Sequence, residues 1–400
     1  YYSAGVNVLI DKFLPRRDWL NQLKWRGSWS VVGNPIPNTL FARQSYDFSN
    51  GTISTRPPLF DDPQPETTTS FETGLDVWMF ENKFNFDLTY YNSTLRNQFL
   101  YVTTANGESK PVNTGKIRNY GLEFQASYRW NINKDWRWQT GFNIAWNDNR
   151  ILETYKTESG APYEVQMGPN AFKIKYVEGG RYGDIYVNSF ARDENGHIKI
   201  NDAGNYENAV PVMASGKYET KVGNMTSPVT LGWNNTFTWK NFTLYFLIDG
   251  RIGGKVMSLT EADLDLYGLS ERSAQDRLNG ERVMQNGKEY ILKPLPDGSG
   301  NKVSVENYYT TIGALPMEDH VYNATSLRMR DISLSYDMPN LFGKNQGMTA
   351  QFSVKNAFFI YKDSPVDPDI SVSAANGYSG IDCYSLPTTR SFALTLKFNF

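Results

Sequence analysis

The last ten residues of the chain alternate between apolar and polar or small side chains. The apolar positions are Phe392, Leu394, Leu396, Phe398 and Phe400. Because successive side chains of a strand point to opposite faces, this period of two predicts a strand with lipid on one side and water on the other. An edge strand of a soluble β-sandwich would show the same local pattern.

The alternation recurs along the chain, and its recurrence separates these two alternatives. The segments that show it are 24–31, 71–79, 84–90, 122–130, 136–147, 230–239, 242–248, 332–336 and 352–354. Burial on both sides would make the second face apolar as well. Here that face carries charged, amide and hydroxyl groups, which is typical of the water-filled interior of a membrane barrel. The sequence therefore predicts an all-β fold, a transmembrane antiparallel β-barrel.

The connections between these strands are short and long in turn. Short ones are predicted at 81–83, 131–135, 240–241 and 338–346, and long ones at 33–65, 97–115, 149–227, 253–321 and 362–389. Outer-membrane barrels keep short turns in the periplasm and long loops outside. The first and the last strand then both run toward the periplasm, which requires an odd strand count, about eleven here, whereas complete bacterial barrels have an even number. We expect part of a barrel.

The long connections contain short elements of their own. Segment 258–278 predicts one or two surface helices, with Thr260 and Ser270 as caps and Asn279-Gly280 as a stop. A hairpin is predicted at Asn286-Gly287. The strand-like segments 185–190 and 198–200 are expected to add no membrane strands.

Composition narrows the function. The mean hydropathy is -0.52, and the net charge of -2 with a pI near 5.9 argues against a nucleic-acid partner. A single cysteine, Cys383, excludes an internal disulfide framework and fits neither a zinc site nor a redox pair. His197 and His320 have no metal-binding or nucleophile motif beside them. We therefore expect no catalytic residues, no metal, no cofactor and no enzyme activity.

Four aspartates together are a candidate calcium site, since calcium prefers oxygen ligands. They are Asp363, Asp367, Asp369 and Asp382. Their spacing fits no EF-hand loop, so a calcium site is not the favoured interpretation.

Several strand motifs together resemble those of the SusC/RagA family of TonB-dependent outer-membrane transporters. They are SWSVVGN at 28–34, TSFETGLD at 69–76, NYGLE at 119–123, NFTLYFLIDGRIGGK at 241–255, SLRMRDISLSY at 326–336, VKNA at 354–357 and PTTRSF at 387–392. The motifs occur in order along essentially the whole chain, which makes the resemblance stronger than any one of them.

The resemblance implies a barrel of about 22 strands in the outer membrane of a Gram-negative bacterium. Residues 1–400 would be its C-terminal half, about eleven strands with long extracellular loops; the plug domain, the TonB-contacting segment and the N-terminal strands would lie elsewhere. It implies active import of oligosaccharides or peptides, energised through the TonB complex, under a SusD-like surface lipoprotein. Phe398 and Phe400 would form the C-terminal signal that the outer-membrane insertion machinery reads, and lipid and lipopolysaccharide would surround the wall.

The last extracellular loop is the candidate site for substrate or lipoprotein contact. The residues concerned are Tyr361, Asp369, Asn376, Tyr378, Asp382 and Tyr384. Tyrosine rings stack on sugars, and amides and carboxylates hydrogen-bond them. An ordinary solvated loop has the same composition. A TonB-dependent siderophore or cobalamin receptor, or another outer-membrane barrel, is the alternative function, and the N-terminal half would discriminate between them.

Overall fold

An eleven-stranded antiparallel sheet, here called the wall, forms most of the structure. The computed structural model describes residues 1–35, 46–49, 52–55, 64–103, 109–157, 160–167, 172–216, 218–314, 318–344, 346–369, 371 and 380–399. The wall strands are β1 (Tyr2–Leu9), β2 (Leu20–Asn34), β3 (Glu66–Met79), β4 (Phe84–Thr103), β5 (Ser109–Asn131), β6 (Trp136–Glu153), β7 (Val229–Trp239), β8 (Phe242–Ile252), β9 (Ser326–Gly343), β10 (Gln346–Lys362) and β11 (Ser391–Asn399). Each strand pairs with the next one along the chain, so the predicted count of eleven is confirmed.

The register keeps apolar residues opposite apolar residues across the wall. On β11, Leu394 pairs with Phe352 of β10, which in turn pairs with Leu334 of β9. Lys397 pairs with Thr349 on the opposite face. A slip of one residue would exchange the two faces, so the alternation in the sequence fixes this pairing.

The apolar face of the wall is exposed rather than packed against a second layer. Its side chains include Trp29 at 44%, Leu122 at 43%, Trp233 at 40%, Leu334 at 50% and Leu394 at 71% exposure. A water-soluble monomer rarely exposes a contiguous apolar surface of this extent. This exposed apolar face, here called the apolar belt, therefore matches the lipid-facing side of a membrane barrel.

Aromatic rings form a row on this face at the end where the connections are short. Trp136 stacks on Trp239 with ring centroids 5.6 Å apart, and Trp239 stacks on Phe242 at 6.1 Å. Phe242 lies 4.5 Å from Tyr336 across β8 and β9. Such girdles are typical of the interface between hydrocarbon and headgroups.

Polar residues interrupt the apolar face where an indole requires a partner. Trp138 Nε1 donates to Asn235 Oδ1 at 3.0 Å, and Trp233 Nε1 donates to Thr140 Oγ1 at 2.9 Å. Trp25 Nε1 donates to Thr73 Oγ1 in the same way, at 2.9 Å. An indole N–H group that faces hydrocarbon has no water to bond. Asn235, Thr140 and Thr73 therefore interrupt the apolar pattern and supply the acceptors that the three indoles need.

The connections follow the predicted alternation with two corrections. The expected long loop at 97–115 is wrong, because β4 continues to Thr103 and β5 begins at Ser109 as one extended hairpin. The expected turn at 338–346 is too long, since β9 runs to Gly343 and β10 begins at Gln346. At the short connection after β7, Lys240 has a φ of 51°, as a tight hairpin turn requires.

The other long connections fold into what we call the loop unit, the described residues of 154–228, 253–325 and 363–390. Its helices are α1 (Leu259–Leu266), α2 (Glu271–Asn279) and α3 (Val305–Ala314). Ser270 caps α2 as predicted, but the cap of α1 is Ser258 rather than Thr260, because Ser258 Oγ accepts the Glu261 N–H. Short 3-10 turns cover Ile10–Phe13 in the wall and Glu318–His320 in the loop unit.

Small sheets complete the loop unit. The first orders Thr220–Asn224, Asp184–Val187, Lys173–Tyr176 and Val165–Met167; the second orders Val321–Asn323, Lys255–Ser258 and Ile381–Asp382; the third orders Glu281–Gln285, Lys288–Pro294 and Lys302–Ser304. The hairpin at Asn286-Gly287 is confirmed, and none of these strands joins the wall. A separate two-stranded sheet pairs Tyr46–Ser49 with Thr52–Thr55.

The loop unit has the buried core that the wall lacks. One apolar cluster centres on Phe172, Ile174 and Met257, all at most 1% exposed, and reaches Ile151 on β6. A second surrounds Ile312 of α3, which is fully buried. Within the described ranges, no helix combines the length and the apolarity needed to cross a bilayer.

Candidate functional site

Ion pairs line the polar face of the wall, which is the inner face of a barrel. Lys24 Nζ lies 2.6 Å from Asp76 Oδ2, and Arg26 Nη2 donates to Asp87 Oδ1 at 2.7 Å. On the same strand as Asp76, Trp78 Nε1 donates to Asp76 Oδ1 at 2.7 Å. These charges of β2, β3 and β4 are therefore paired between strands.

Glycines let two long inner side chains lie across the neighbouring strand. Tyr91 pairs with Gly121, where an added Cβ would lie 2.6 Å from the tyrosine hydroxyl oxygen. Arg26 pairs with Gly74, where a Cβ would lie 3.1 Å from the guanidinium and 2.8 Å from a backbone oxygen. Only glycine permits so close an approach, so these side chains follow the wall instead of filling the interior.

A cluster of charged side chains lies on the inner face at the end with the long connections. We call Arg251, Arg328 and Arg330 the arginine cluster. Arg330 bonds Asp249 on β8, with Nη2 2.6 Å from Oδ2, and Asn356 on β10, with Nη1 3.1 Å from Oδ1. Arg328 is 3% exposed and stacks over the Phe359 ring at 4.0 Å.

The segment just after β10 brings two further carboxylates to the arginine cluster. Asp369 Oδ2 lies 2.7 Å from Arg330 Nη2 and 3.3 Å from Arg328 Nη2, and Arg251 bonds its other oxygen. Asp367 bonds Arg328 and Thr388. Burial alone would raise the pKa of Asp369, but the Arg330 hydrogen bonds and the neighbouring arginine charges lower it below its usual range. Asp369 is thus held as a carboxylate.

The structure gives the predicted site residues different positions. Asp369 lies in the arginine cluster, and Asp382 is 2% exposed and accepts a hydrogen bond of 2.6 Å from Ser258 Oγ. Tyr384 is 64% exposed, and its N–H donates to Thr260 Oγ1 at 2.8 Å. Tyr361 pairs with Leu327 and so lies on the apolar side of the wall. Asp382 and Tyr384 come together, while Asp369 lies elsewhere on the same connection and Tyr361 lies on β10 rather than on the predicted loop.

The remaining predicted residues lie outside the described part of the chain. They are Asn376 and Tyr378, with Phe400 of the C-terminal signal. Gly380 is the first described residue after Tyr378, and its carbonyl accepts the Met257 N–H at 3.0 Å. Phe398 is 46% exposed and its ring lies 6.0 Å from that of Phe342.

A surface cleft of about 380 Å³ opens in the loop unit between α1, α3 and the Asn286-Gly287 hairpin. Its lining includes Tyr267, which is 73% exposed, and Arg277 and Lys288. An exposed aromatic ring flanked by charged donors suits a sugar or a peptide backbone.

A buried carboxylate holds the loop unit together beside this cleft. Asp265 is fully buried and accepts hydrogen bonds from Ser270 Oγ at 2.6 Å, from Arg272 Nε at 3.0 Å and from His320 Nε2 at 2.9 Å. Burial alone would raise its pKa, but the hydrogen bonds from His320, Arg272 and Ser270 lower it. Asp265 therefore links α1, α2 and the turn at Glu318–His320.

The arginine cluster was missed in the sequence, although a signal for it exists. Asp249 and Arg251 alternate on β8 and mark its inner face. Arg328 and Arg330 have the parity of the outward Ile332, and they reach the inner face because the register shifts between Met329 and Asp331. The loop partners Asp367 and Asp369 share that spacing. Among the described residues, no group of three or more His, Cys, Asp or Glu side chains is arranged to hold a metal ion.

Comparison with known proteins agrees with this architecture. The family model "TonB dependent receptor-like, beta-barrel" matches residues 2–357. TonB-dependent receptor P3 of Formosa agariphila is 23% identical over 100% of this chain and 42% of the relative, and TonB-dependent receptor SusC of Bacteroides thetaiotaomicron is 24% identical over 100% of this chain and 39% of SusC. The solved RagAB peptide transporter superposes with a TM-score of 0.71 at 18% identity, over 100% of this chain and 43% of that one.

The chain spans about two fifths of the length of these curated relatives. Its matches are receptors and transporters rather than enzymes. The expected SusC/RagA-like fold is confirmed by the family match and by the RagAB superposition. The eleven-stranded wall, its exposed apolar belt and the match over residues 2–357 together place this chain in the TonB-dependent receptor β-barrel family, as part of an outer-membrane barrel.

Proposed function

We propose that this chain is the C-terminal half of an outer-membrane importer that takes up oligosaccharides or peptides, energised through TonB. The observation that carries the proposal is the likeness to SusC, which extends over 100% of the chain, wall and loop unit together. A loop unit with its own core suits capture of a large ligand, since binding residues are best held on a rigid scaffold.

The rest of the barrel would come from the remainder of the polypeptide. The described wall has two edges, β1 and β11, whose outer sides have no strand partner in the sheet order. Unpaired backbone groups facing hydrocarbon are too costly to persist, so further strands must close the sheet. We place the plug domain and the TonB-contacting segment in that remainder as well.

A SusD-like surface lipoprotein would be the partner of the loop unit. Two described features offer it or the ligand a contact: the cleft at Tyr267 and the exposed ring of Tyr384. Tyr384 is attached to α1 through Thr260, so its backbone has a fixed position at the surface of the loop unit. Together with Tyr378 it is our primary candidate for contact with ligand or lipoprotein.

The proposal is tested on the full-length transporter purified from its native membrane. Mass spectrometry should identify a SusD-like lipoprotein and a copurifying oligosaccharide or peptide. Uptake of that ligand should stop when the proton gradient is dissipated. A barrel that copurifies with no lipoprotein, and takes up its ligand without the gradient, would contradict the proposal.

The site is tested by Tyr378→Ala together with Tyr384→Ala. We expect weaker ligand capture or weaker lipoprotein association at normal barrel abundance. Tyr361→Ala is the matched control, because Tyr361 lies on the apolar side of the wall. Unchanged uptake and unchanged lipoprotein binding in the double variant would remove this loop from the site.

A further inference from the structure

Three guanidinium groups of the inner wall converge on a single loop carboxylate. Arg328 and Arg330 approach one oxygen of Asp369, at 3.3 and 2.7 Å, and Arg251 bonds the other. Arg251 Nη1 also donates to the Pro368 carbonyl at 3.2 Å. Arginine forks of this kind match the planar geometry of a carboxylate.

The arginine cluster has more positive than negative charge without the loop. The cluster bonds one wall carboxylate, Asp249, through Arg330, which leaves this group of four side chains with a net charge of +2. Asp367 and Asp369 of the loop supply the two missing negative charges. Because Arg328 is only 3% exposed, its charge requires a close partner.

The loop does not use all the hydrogen-bonding capacity of the cluster. Arg328 Nε and Nη1 are buried and have no partner among the described residues, and Asp249 Oδ1 is in the same condition. A cavity of about 170 Å³ adjoins them, lined by Thr230, Ser326 and the three arginines. The cluster thus has donors that a different occupant could use.

We propose that the arginine cluster is a binding site for a ligand with two carboxylates, and that Asp367 and Asp369 occupy it in the ligand's place. Binding of such a ligand releases residues 363–369, which directly follow β10. The inference rests on the proposed import function, because the ligand would reach the cluster through the mouth of the barrel. Acidic peptides and uronic-acid oligosaccharides both carry this chemistry.

A tethered carboxylate competes strongly with a free one. A short flexible connection gives an intramolecular group an effective concentration in the millimolar range. A free dicarboxylate must overcome this competition, so the native protein should bind it weakly. Removing the loop carboxylates while keeping the size of their side chains should reveal the affinity of the cluster.

The experiment measures succinate binding by calorimetry on the full-length transporter in nanodiscs. The Asp367→Asn/Asp369→Asn variant should bind succinate at least about tenfold more tightly than the native protein. Adding Arg251→Gln and Arg328→Gln should abolish the binding. The matched control is Asp363→Asn, an exposed carboxylate on the same segment, which should behave like the native protein. Succinamide, which lacks the charges, should not bind to any variant.

A second measurement tests displacement without altering the site. A spin label at Asp363→Cys, in a Cys383→Ser background, should become more mobile as succinate saturates the otherwise native protein. Equal succinate affinity in the loop double variant and the Asp363→Asn control would overturn the binding site. A label that stays immobile at saturation would overturn the displacement.

Two further arms identify the source of the carboxylates. A diglutamate peptide and digalacturonate are compared on the loop double variant, and the tighter ligand indicates the class; inorganic phosphate binding more tightly than both would overturn the carboxylate assignment. Because these are binding measurements, they are independent of uptake. An importer that transports neutral oligosaccharides and ignores succinate would retain the proposed function and lose this inference.

Discussion

The wall and the loop unit are built from one chain, but they are stable for opposite reasons. Leu394 of the wall is 71% exposed, and the apolar face of β11 packs against no other layer of the protein. Phe172 and Ile312 of the loop unit are fully buried. Lipid covers the apolar side chains of the wall, whereas those of the loop unit are buried against one another. The same substitution should therefore cost a different amount of folding free energy in the two regions.

Tryptophan separates the two regions experimentally. Nine of the ten tryptophans lie in wall strands, and the tenth, Trp19, directly precedes β2. The loop unit has none. Indole fluorescence therefore reports the wall, and proteolysis at the long connections reports the loop unit.

The largest effect is expected for Phe172→Ala in the loop unit. Removing a fully buried ring leaves a cavity, which costs about 3–5 kcal/mol. The matched change in the wall is Phe352→Ala, at a ring that is 51% exposed, which should cost about 1–2 kcal/mol. Proteolysis should detect the first and indole fluorescence the second. Equal costs would mean that Phe352 is packed inside protein.

A charge on the lipid side should have the next largest effect. Leu394→Lys should destabilise the wall by about 2–4 kcal/mol if the site is near the bilayer midplane. Thr395→Lys, one residue along and on the polar face, should be mild. Folding into lipid vesicles measures both variants in the full-length protein. Equal losses would show that the faces of β11 are assigned in the wrong phase.

The wall variants at Phe352 and Leu394 concern the strands, the part of the fold that the sequence predicts best. Alternation between Phe392 and Phe400 fixes the faces, because a strand between lipid and water has no other stable arrangement. The extension of β4 to Thr103 and the start of β5 at Ser109 escaped prediction, since strands that extend beyond the membrane into water no longer need the apolar period.

The candidate site was less predictable for a related reason. The sequence suggests that Asp369 and Asp382 are exposed loop carboxylates. In the structure, Asp369 bonds Arg330 and Asp382 bonds Ser258, both far away in sequence. Such contacts depend on how three connections fold together, which local spacing does not encode. Asp249 on β8 carries a signal, but the register shift in β9 hides that of Arg328. An inner wall also has many charges, and only the structure selects the clustered ones.

A smaller effect tests the polar exceptions on the apolar face. Asn235→Ala should destabilise the wall by about 1–3 kcal/mol, because the Trp138 indole N–H loses its partner in a region without water. Trp138→Phe should remove most of that penalty in the double variant. Stability that falls additively in the double variant would mean that the two side chains are not coupled.

Acid should affect the loop unit before the wall. The pKa values of Asp265 and Asp369 are lowered in the folded protein, so their stabilisation is complete above about pH 4 and is lost as pH falls through the lower folded values. Below about pH 4, proteolysis of the loop unit should increase while indole fluorescence stays constant. Simultaneous loss of both signals would contradict the separation.

The smallest effect is a gain. Burial, together with the charge of Asp265, raises the pKa of Glu261 in α1, so its ionised form is disfavoured in the folded loop unit. Glu261→Gln should stabilise the loop unit at neutral pH by less than about 1 kcal/mol. The gain should vanish in acid, where both side chains are neutral. A loss at neutral pH, measured by proteolysis, would contradict the assignment.

The most direct test of the account is cysteine accessibility in intact cells. Single cysteines are introduced in a Cys383→Ser background as Tyr267→Cys in the loop unit and Lys134→Cys in the short turn between β5 and β6. A membrane-impermeant maleimide should label Tyr267→Cys on intact cells and Lys134→Cys only after the outer membrane is broken. Labelling of Lys134→Cys on intact cells at the rate of Tyr267→Cys would contradict a wall that spans the membrane with the loop unit outside.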